Sequence, residues 1–163
     1  LRALWEIACR SAYITSQVMI ILAAAGVYSW LLTTSGAGPT ITKFFNGLSL
    51  SPWMILLIIN VFLLLVGIFL DPPPAILLLT PILVPIVKDA GIDLVHFGII
   101  MTANLSIGCF TPPFGVNIFV AQAVLKQPVS VIFAGVMPFI YLSVLVLFVI
   151  TYLPILSTGI FWF

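Results

Sequence analysis

The chain has 163 residues, of which 63% are hydrophobic and 6% are charged, and its formal net charge is +1. A soluble domain carries about 25% charged residues, so this composition excludes a soluble protein and indicates an integral membrane protein. The near-neutral charge also argues against nucleic acid as a partner. The apolar runs are continuous rather than alternating, which favours membrane helices over a β-barrel. The two cysteines, Cys9 and Cys109, lack a metal-site spacing and are interpreted as packing residues.

The first 51 residues predict one membrane span with an interfacial segment on either side. Residues 1–10 carry three charged side chains at four-residue spacing, which predicts a short interfacial helix or the end of a loop. Residues 12–34 contain no charged side chain and are numerous enough to span a bilayer. A glycine-rich stop follows, and residues 36–51 predict an amphipathic connector at the interface.

Two apolar runs that meet at a proline-rich turn predict a re-entrant helical hairpin over residues 52–87. The first run covers residues 52–70, and the second covers only residues 75–87. The second run would make a helix of about 20 Å, which is too short for a hydrocarbon core of about 30 Å. In this interpretation Asp71 lies at membrane depth and caps the second arm, with Pro72 at its first position. The alternative makes both arms full spans and places Asp71 at the far surface.

Residues 94–125 form an apolar run that is too long for one membrane helix and is interrupted in its middle. Pro112 and Pro113 remove two backbone donors, so a regular helix cannot continue through them. The first half is predicted to end near residues 108–110, and the second to begin at Thr111, with the threonine as N-cap. Broken helices at membrane depth are typical of substrate and ion sites in secondary transporters.

The remaining segments predict a polar loop, a last membrane span and an aromatic anchor. The charged residues between positions 88 and 93 form the loop that precedes the broken helix. Residues 129–153 form the last span, with a kink at Pro138. The aromatic residues 161–163 anchor the tail at the membrane interface.

The distribution of basic residues predicts an orientation in the membrane. Arg2, Arg10 and Lys126 fall on one face, and Lys43 and Lys88 fall on the other. The excess on the first face makes it cytoplasmic, because cytoplasmic loops are enriched in basic residues. The hairpin then enters the membrane from outside, and the C-terminus is external.

The two interruptions can supply both halves of a site for a cation and a carboxylate. A helix C-terminus presents carbonyl groups with partial negative charge, which suit Na⁺, whereas a helix N-terminus favours an anion. The candidate Na⁺ ligands are Gly67, Asp71, Gly108, Thr111 and Gly115. The candidate substrate contacts are Asn104, Ser106, Pro112 and Asn117.

These candidates have structural alternatives, and the chain has an alternative function. The polar residues Asn104, Ser106 and Asn117 are also compatible with interhelical hydrogen bonds, and Asp71 with a cap alone. The only histidine, His96, lies near a helix start and is interpreted as a satisfied interfacial residue rather than a proton carrier. One histidine and the lack of paired carboxylates in the apolar core argue against an enzyme. An ion channel or structural pore subunit is the alternative function, because re-entrant loops also build selectivity filters.

Several spaced motifs resemble the C-terminal half of the large membrane subunit of TRAP transporters, the tripartite ATP-independent periplasmic transporters. The motifs are, in chain order, GIFLDP (67–72), LTPILVP (79–85), GIDLVHFG (91–98), NLSIG (104–108) and TPPFGVN (111–117). The turn DPPPA departs from the family, which more often places a small or hydroxyl residue after the first proline. The resemblance extends over nearly the whole chain.

The resemblance implies an all-α membrane protein that forms one inverted repeat of an elevator-type transporter. Residues 1–51 would be a scaffold-type helix with its connector. Residues 52–125 would be the transport-type unit, with the hairpin over 52–87 and the broken helix over 94–125. Residues 126–163 would be the last span and the tail.

The resemblance also implies Na⁺-driven uptake of organic acids, such as C4-dicarboxylates or sialic acids, across the bacterial inner membrane. The implied partners are a small four-helix membrane subunit, a soluble periplasmic binding protein and the N-terminal half of the same large subunit. No arginine lies in an apolar run. A substrate carboxylate is therefore expected to rely on helix N-termini or on groups from that other half.

Overall fold

A computed structural model describes residues 2–47 and 50–159 of the chain. Over these residues the fold consists of helices joined by short connections, as the composition predicts. The helices are α1 (Arg2–Thr34), α2 (Ala37–Gly47), α3 (Pro52–Phe69), α4 (Pro72–Asp89), α5 (Leu94–Gly108), α6 (Val116–Leu125), α7 (Val129–Tyr152) and α8 (Ile155–Thr158). The aromatic anchor predicted at residues 161–163 lies outside the described residues.

The first helix is longer than the sequence indicates, because α1 begins at Arg2 and continues for 33 residues. Residues 2–10, predicted as a short interfacial helix or the end of a loop, are helical but form the first turns of α1 instead of a short helix of their own. No proline or glycine precedes Gly26, and an exposed ion pair of 3.9 Å joins Arg2 and Glu6 one turn apart. At 1.5 Å per residue the helix is about 50 Å long. It ends just before Gly36, whose φ of 71° lies in the left-handed region.

The start of α4 agrees with the predicted turn of the hairpin, but the helix is longer than predicted. Asp71 is the N-cap residue and Pro72 is the first helical residue, although the Asp71 side chain makes no capping hydrogen bond to the described residues. The helix continues through Pro81 and Pro85 and has 18 residues instead of 13. At about 27 Å it is close to the thickness of the hydrocarbon core, so its length does not decide between a re-entrant arm and a full span.

The polar loop predicted before the broken helix is shorter than expected. Lys88 and Asp89 belong to the last turn of α4, where a lysine also complements the helix dipole. Only Asp93 remains in the connection, and it is the N-cap of α5. Its Oδ1 accepts hydrogen bonds of 2.9 Å from the backbone N–H groups of Val95 and His96. This cap fixes the start of α5.

The break in the predicted broken helix is confirmed, but one of its two boundaries is wrong. The first half, α5, ends at Gly108 as predicted. The second half, α6, begins at Val116 with Gly115 as its N-cap residue, and not at Thr111. Residues 109–115 form turns, within which the Pro112–Pro113 peptide is cis.

The core of the fold positions the ends of α3 and α5 next to each other. The most extensive packing joins α3 to α5, and the next most extensive joins α1 to α4. The buried cluster at the centre is apolar and comes from α3, α4 and α5. Its members are Ile55, Ile59, Leu63, Ala75, Leu83, Ile86, Val87, Phe97, Met101 and Leu105. Burying such side chains is the main favourable contribution to packing.

Four of the described helices, α1, α3, α4 and α7, are long and apolar enough to cross a membrane. The shorter helices α5 and α6 are also apolar. Much of the surface of α1 and α7 is apolar and exposed, with residues such as Trp30 and Phe139 pointing outward. A surface of this composition is expected of a protein that lies in lipid. The predicted last span over residues 129–153 is confirmed as a helix, α7, with Pro138 in its interior.

Candidate functional site

The last turns of α3 and α5 cross at two glycines. A Cβ built on Gly108 would lie 2.5 Å from the Cα of Gly67 and 2.7 Å from its carbonyl oxygen. A Cβ on Gly67 would in turn lie 3.0 Å from the Cα of Leu105. The distances at Gly108 leave no space for a methyl group, so this position requires glycine for the approach, and a methyl group at Gly67 would be tightly packed. Two of the sequence-predicted Na⁺ candidates are thereby in direct backbone contact.

The crossing brings together the carbonyl ends of two helices. Gly67 lies in the last turn of α3 and Gly108 is the last residue of α5, so both backbone segments carry the partial negative charge of a helix C-terminus. Two carbonyls at the end of α5 already accept backbone hydrogen bonds. Gly108 accepts from the Thr111 N–H at 3.0 Å, and Cys109 accepts from the Asn117 N–H at 3.0 Å. Each carbonyl oxygen has a second lone pair and can still coordinate a cation.

Thr111 does not cap α6, because its hydroxyl turns back toward α5. The Oγ1 of Thr111 donates to the carbonyl of Ile107 at 2.7 Å. This bond uses the hydroxyl proton and leaves both lone pairs of the oxygen available to a cation. Thr111 is half-buried. The predicted cap is therefore wrong, and a role for this oxygen as a ligand stays a prediction.

Gly115 closes the break and explains the late start of α6. A Cβ on Gly115 would lie 2.7 Å from the carbonyl oxygen of Cys109 and 2.9 Å from the backbone of Thr111. The N–H of Gly115 donates to the Thr111 carbonyl at 3.1 Å, and the N–H of Asn117 donates to the Cys109 carbonyl. These contacts fold residues 109–115 back on the end of α5, and the helical pattern resumes only at Val116.

A cavity of about 400 Å³ lies beside the break, between α1, the start of α4, the end of α5 and the start of α6. It brings together three of the predicted site residues, Asp71, Ser106 and Asn117. The N-termini of α4 and α6 also face this region, since Pro72 and Asn117 belong to their first turns. Helix N-termini and polar side chains are the groups that bind carboxylates in protein interiors. Pro112 lies in the break but is not one of the residues that line the cavity.

Asn104 is the predicted substrate contact that the structure places elsewhere. It is fully buried and does not line the cavity. Its Nδ2 donates to the Oδ1 of Asn60 on α3 and to the carbonyl of Ile100 at 2.9 Å. Asn104 thus makes the interhelical hydrogen bond that is the structural alternative for this residue.

The hydrogen bonds of Asn104 belong to a buried polar network that sequence reasoning missed. Asn60 donates from Nδ2 to the Oγ1 of Thr151 on α7 at 3.1 Å. The Nε2 of His96 lies 3.2 Å from the Thr151 carbonyl, and since a carbonyl only accepts, Nε2 carries the proton. His96 is buried in the protein, and its Nδ1 has no partner among the described residues, so the ring is not fully satisfied as predicted. The available signal was Asn60 itself, a lone polar residue in the apolar run of α3.

Comparison with known protein families gives a match over nearly the whole chain. Residues 1–156 match the family model described as "Tripartite ATP-independent periplasmic transporter, DctM component". The chain is 38% identical over 152 residues to the C4-dicarboxylate TRAP transporter large permease protein DctM of Pseudomonas aeruginosa, covering 93% of the chain and 36% of that protein.

Two further relatives have different substrates in their names. The chain is 40% identical over 157 residues to the isethionate TRAP transporter permease protein DctMQ of Oleidesulfovibrio alaskensis, covering 91% of the chain and 25% of that protein. It is 36% identical over 151 residues to the 2,3-diketo-L-gulonate TRAP transporter large permease protein YiaN of Escherichia coli, covering 93% of the chain and 36% of that protein. The chain thus spans about a third of the length of these relatives or less. By its match over nearly all of its residues, the chain belongs to the DctM family of TRAP transporter large permeases.

Proposed function

We propose that this chain is part of a secondary transporter that couples Na⁺ entry to the uptake of organic acids. Membership of the large permease family supports transport as the activity. The observation that carries the Na⁺ proposal is the backbone contact between Gly67 and Gly108, which brings two helix C-termini together. Two carbonyl ends at one point create a region of negative potential without a formal charge, which suits a small hard cation.

The Na⁺ ion would be held by oxygens of the crossing and of the break. The candidate oxygens are the backbone carbonyls near Gly67 and Gly108 and the hydroxyl of Thr111, which follows Gly108 by three residues. Hard cations prefer oxygen ligands of this kind. Gly115 contributes by its lack of a side chain, because its close approach keeps the break folded against α5. The carboxylate of Asp71, at the start of α4, would add a formal negative charge nearby.

The organic acid would bind in the cavity beside the break. The side chains of Ser106 and Asn117 and the N-termini of α4 and α6 are donors suited to a carboxylate. The Asp71 carboxylate lines the same cavity and would repel an anion until a cation neutralises it. This repulsion gives a physical reason for coupling, since the acid would bind well only after Na⁺. A contact between the substrate and Pro112 is a further element of the proposal.

The names of the relatives support an anionic substrate. They refer to C4-dicarboxylate, isethionate and 2,3-diketo-L-gulonate, each of which is an organic acid. A family that carries such acids would need the anion-binding helix ends described above. We therefore expect a small organic anion, and a C4-dicarboxylate or a sialic acid is the first choice for testing.

The larger assembly is also a proposal. We propose that α3 and α4 form a re-entrant hairpin entering from the periplasmic side, and that the chain forms one of two inverted repeats moving as an elevator. The N-terminal half of the same large subunit, a small four-helix membrane subunit and a periplasmic binding protein would complete the transporter. It would lie in a bacterial inner membrane with the C-terminus in the periplasm, in line with the count of basic residues.

Uptake in proteoliposomes tests the proposal. The complete large subunit would be reconstituted with the small subunit and the binding protein, and uptake of a labelled C4-dicarboxylate and a labelled sialic acid followed. We expect uptake that requires an inward Na⁺ gradient and stops when a Na⁺ ionophore dissipates it. Equal uptake driven by a K⁺ gradient contradicts Na⁺ coupling. A steady ionic conductance without the binding protein indicates a channel, which is the alternative function.

A further inference from the structure

The buried polar network lies a short distance along the helices from the crossing of Gly67 and Gly108. Asn60 precedes Gly67 by seven residues on α3, which is about two helical turns. Asn104 precedes Gly108 by four residues on α5, which is about one turn. The bond between the two amides therefore fixes α3 and α5 to each other close to the carbonyl ends of both helices.

The apolar packing around the network does not fix this position by itself. Ile59, Leu63 and Leu105 surround the two amides along the helices and are at most 2% exposed. Hydrophobic contacts are non-directional, so such a surface tolerates sliding of one helix along the other better than a hydrogen bond with defined geometry does. A slip of one residue displaces a helix by about 1.5 Å along its axis, whereas ion-ligand distances must hold within about 0.2 Å.

Two further bonds hold the amides in place. Asn104 donates also to the carbonyl of Ile100 in its own helix, which fixes the rotamer of its side chain. Asn60 donates to Thr151, which joins the pair to α7. The three side chains that make these bonds, Asn60, Asn104 and Thr151, are at most 7% exposed. Water therefore does not compete for these bonds, and the pair is a rigid attachment.

We propose that Asn60 and Asn104 are positioning residues for the Na⁺ site, and that Asn104 acts through Asn60 rather than on the substrate. Their bond fixes the position of α3 relative to α5 along the helix axes. It thereby fixes the distances between the carbonyl oxygens near Gly67 and Gly108 that would bind the ion. The inference rests on the proposed function, because it assigns the two amides to the same Na⁺ site. It assigns them no contact with the organic acid.

Single and double substitutions in the complete transporter test the inference. Asn60→Leu and Asn104→Leu are each expected to raise the half-saturating Na⁺ concentration for uptake about two- to tenfold, the effect of one hydrogen bond. At saturating Na⁺ the KM for the organic acid is expected to stay within about twofold of its original value. The double variant is expected to show no larger rise than either single variant, because both remove the same bond.

Two additional variants keep the test decisive if a leucine substitution prevents folding. Thr151→Val removes the outer anchor of Asn60 with little change in shape, and a smaller rise in half-saturating Na⁺ is expected. Thr102→Val is the control, since this α5 hydroxyl is exposed and donates only to Gly98 in its own helix. The control is expected to leave Na⁺ dependence unchanged.

The outcomes separate this inference from the proposed function. Uptake by the unsubstituted protein that ignores Na⁺ contradicts the proposed function, and the inference with it. Na⁺-dependent uptake with unchanged half-saturation in the substituted proteins overturns the inference alone. A raised KM for the organic acid in Asn104→Leu, but not in Asn60→Leu, also overturns it, because Asn104 would then act on the substrate.

Discussion

Gly67 and Gly108 pack backbone against backbone, with no side chain between α3 and α5 at their crossing. The contact joins the end of the first arm of the proposed hairpin to the last residue before the break. It depends on two residues of the smallest size, one on each helix. The most direct tests of the site start from this contact.

Gly108→Ala is expected to push α5 away from α3 and to abolish Na⁺-dependent uptake. The new methyl group would lie 2.5 Å from the Cα of Gly67, and backbone atoms cannot move aside without a shift of the helix. Overpacking of this kind costs about 1–3 kcal/mol or more. Uptake and the thermal unfolding midpoint measure the effect. Gly98→Ala on the same helix is the matched control, since a Cβ there meets no described atom within 4 Å.

Thr111→Val is expected to raise the half-saturating Na⁺ concentration about tenfold or more, since a bond to a charged group is worth about 1.5–3 kcal/mol. Valine keeps the shape of threonine but lacks the oxygen that faces the break. The protein is expected to insert in the membrane normally, which the amount of purified protein checks. Thr102→Val, which removes an exposed hydroxyl within α5, is the control. Unchanged Na⁺ dependence in Thr111→Val removes this residue from the site.

His96→Leu is expected to lower the free energy of unfolding by about 1–3 kcal/mol, because it leaves a buried carbonyl without a donor. That carbonyl belongs to Thr151 in the last turn of α7, where no residue further along the helix can bond to it. His96→Gln is expected to restore most of the loss, since its amide nitrogen can reach the position of Nε2. Unfolding in detergent, followed by loss of soluble protein on heating, compares the two variants. Equal loss in both contradicts the assigned bond.

Asp93→Ala is expected to destabilise the start of α5 by about 0.5–2 kcal/mol, because two backbone N–H groups lose their acceptor. Asp93→Asn retains an oxygen at the same position and is expected to be close to neutral. Asp71→Ala offers a contrast: this residue holds the equivalent place before α4 but makes no capping bond to the described residues. Its effect on the unfolding midpoint is expected to be smaller. A larger effect at Asp71 contradicts this difference between the caps.

The amino-acid sequence was sufficient to predict the membrane class, the break and the position at which α5 ends. These features follow from local chemistry, because Pro112 and Pro113 cannot continue a helix and long uncharged apolar runs are typical of membrane helices. The turn at Asp71 and Pro72 was predictable for the same reason. The family could also be identified from motifs in the right order, and the match of residues 1–156 confirms it.

The differences from the sequence-based prediction lie at the bounds of the helices. Thr111 before a proline is a good local start for a helix, yet its hydroxyl bonds to Ile107 and α6 begins five residues later. The apolar run of the predicted second arm covers residues 75–87, whereas α4 extends from Pro72 to Asp89. The start of α6 was decided by hydrogen bonds and close backbone contacts within residues 107–117, which the local capping signal of Thr111 does not reveal.

The buried polar network could also not be predicted from the spacing of residues along the chain. The position of Asn104 close to the break favours a substrate contact when only the sequence is considered. Its partner Asn60 is 44 residues away and Thr151 is 91 residues from Asn60, so neither contact follows from helical spacing. A lone asparagine in the apolar run of α3 was a usable signal that a partner existed. The identity of the partner required the fold.

The bond from the Asn117 N–H to the Cys109 carbonyl reaches across the break and locks its two halves to each other. Together with the close packing of Gly115 against Cys109 and Thr111, this bond is expected to make residues 109–115 a rigid connection between α5 and α6. An ion bound at the proposed site would meet oxygens already held in place, so little backbone freedom would be lost on binding. The backbone N–H of Asn117 is consequently expected to exchange its hydrogen for deuterium as slowly as backbone amides within the neighbouring helices, although it lies in the first turn of a helix.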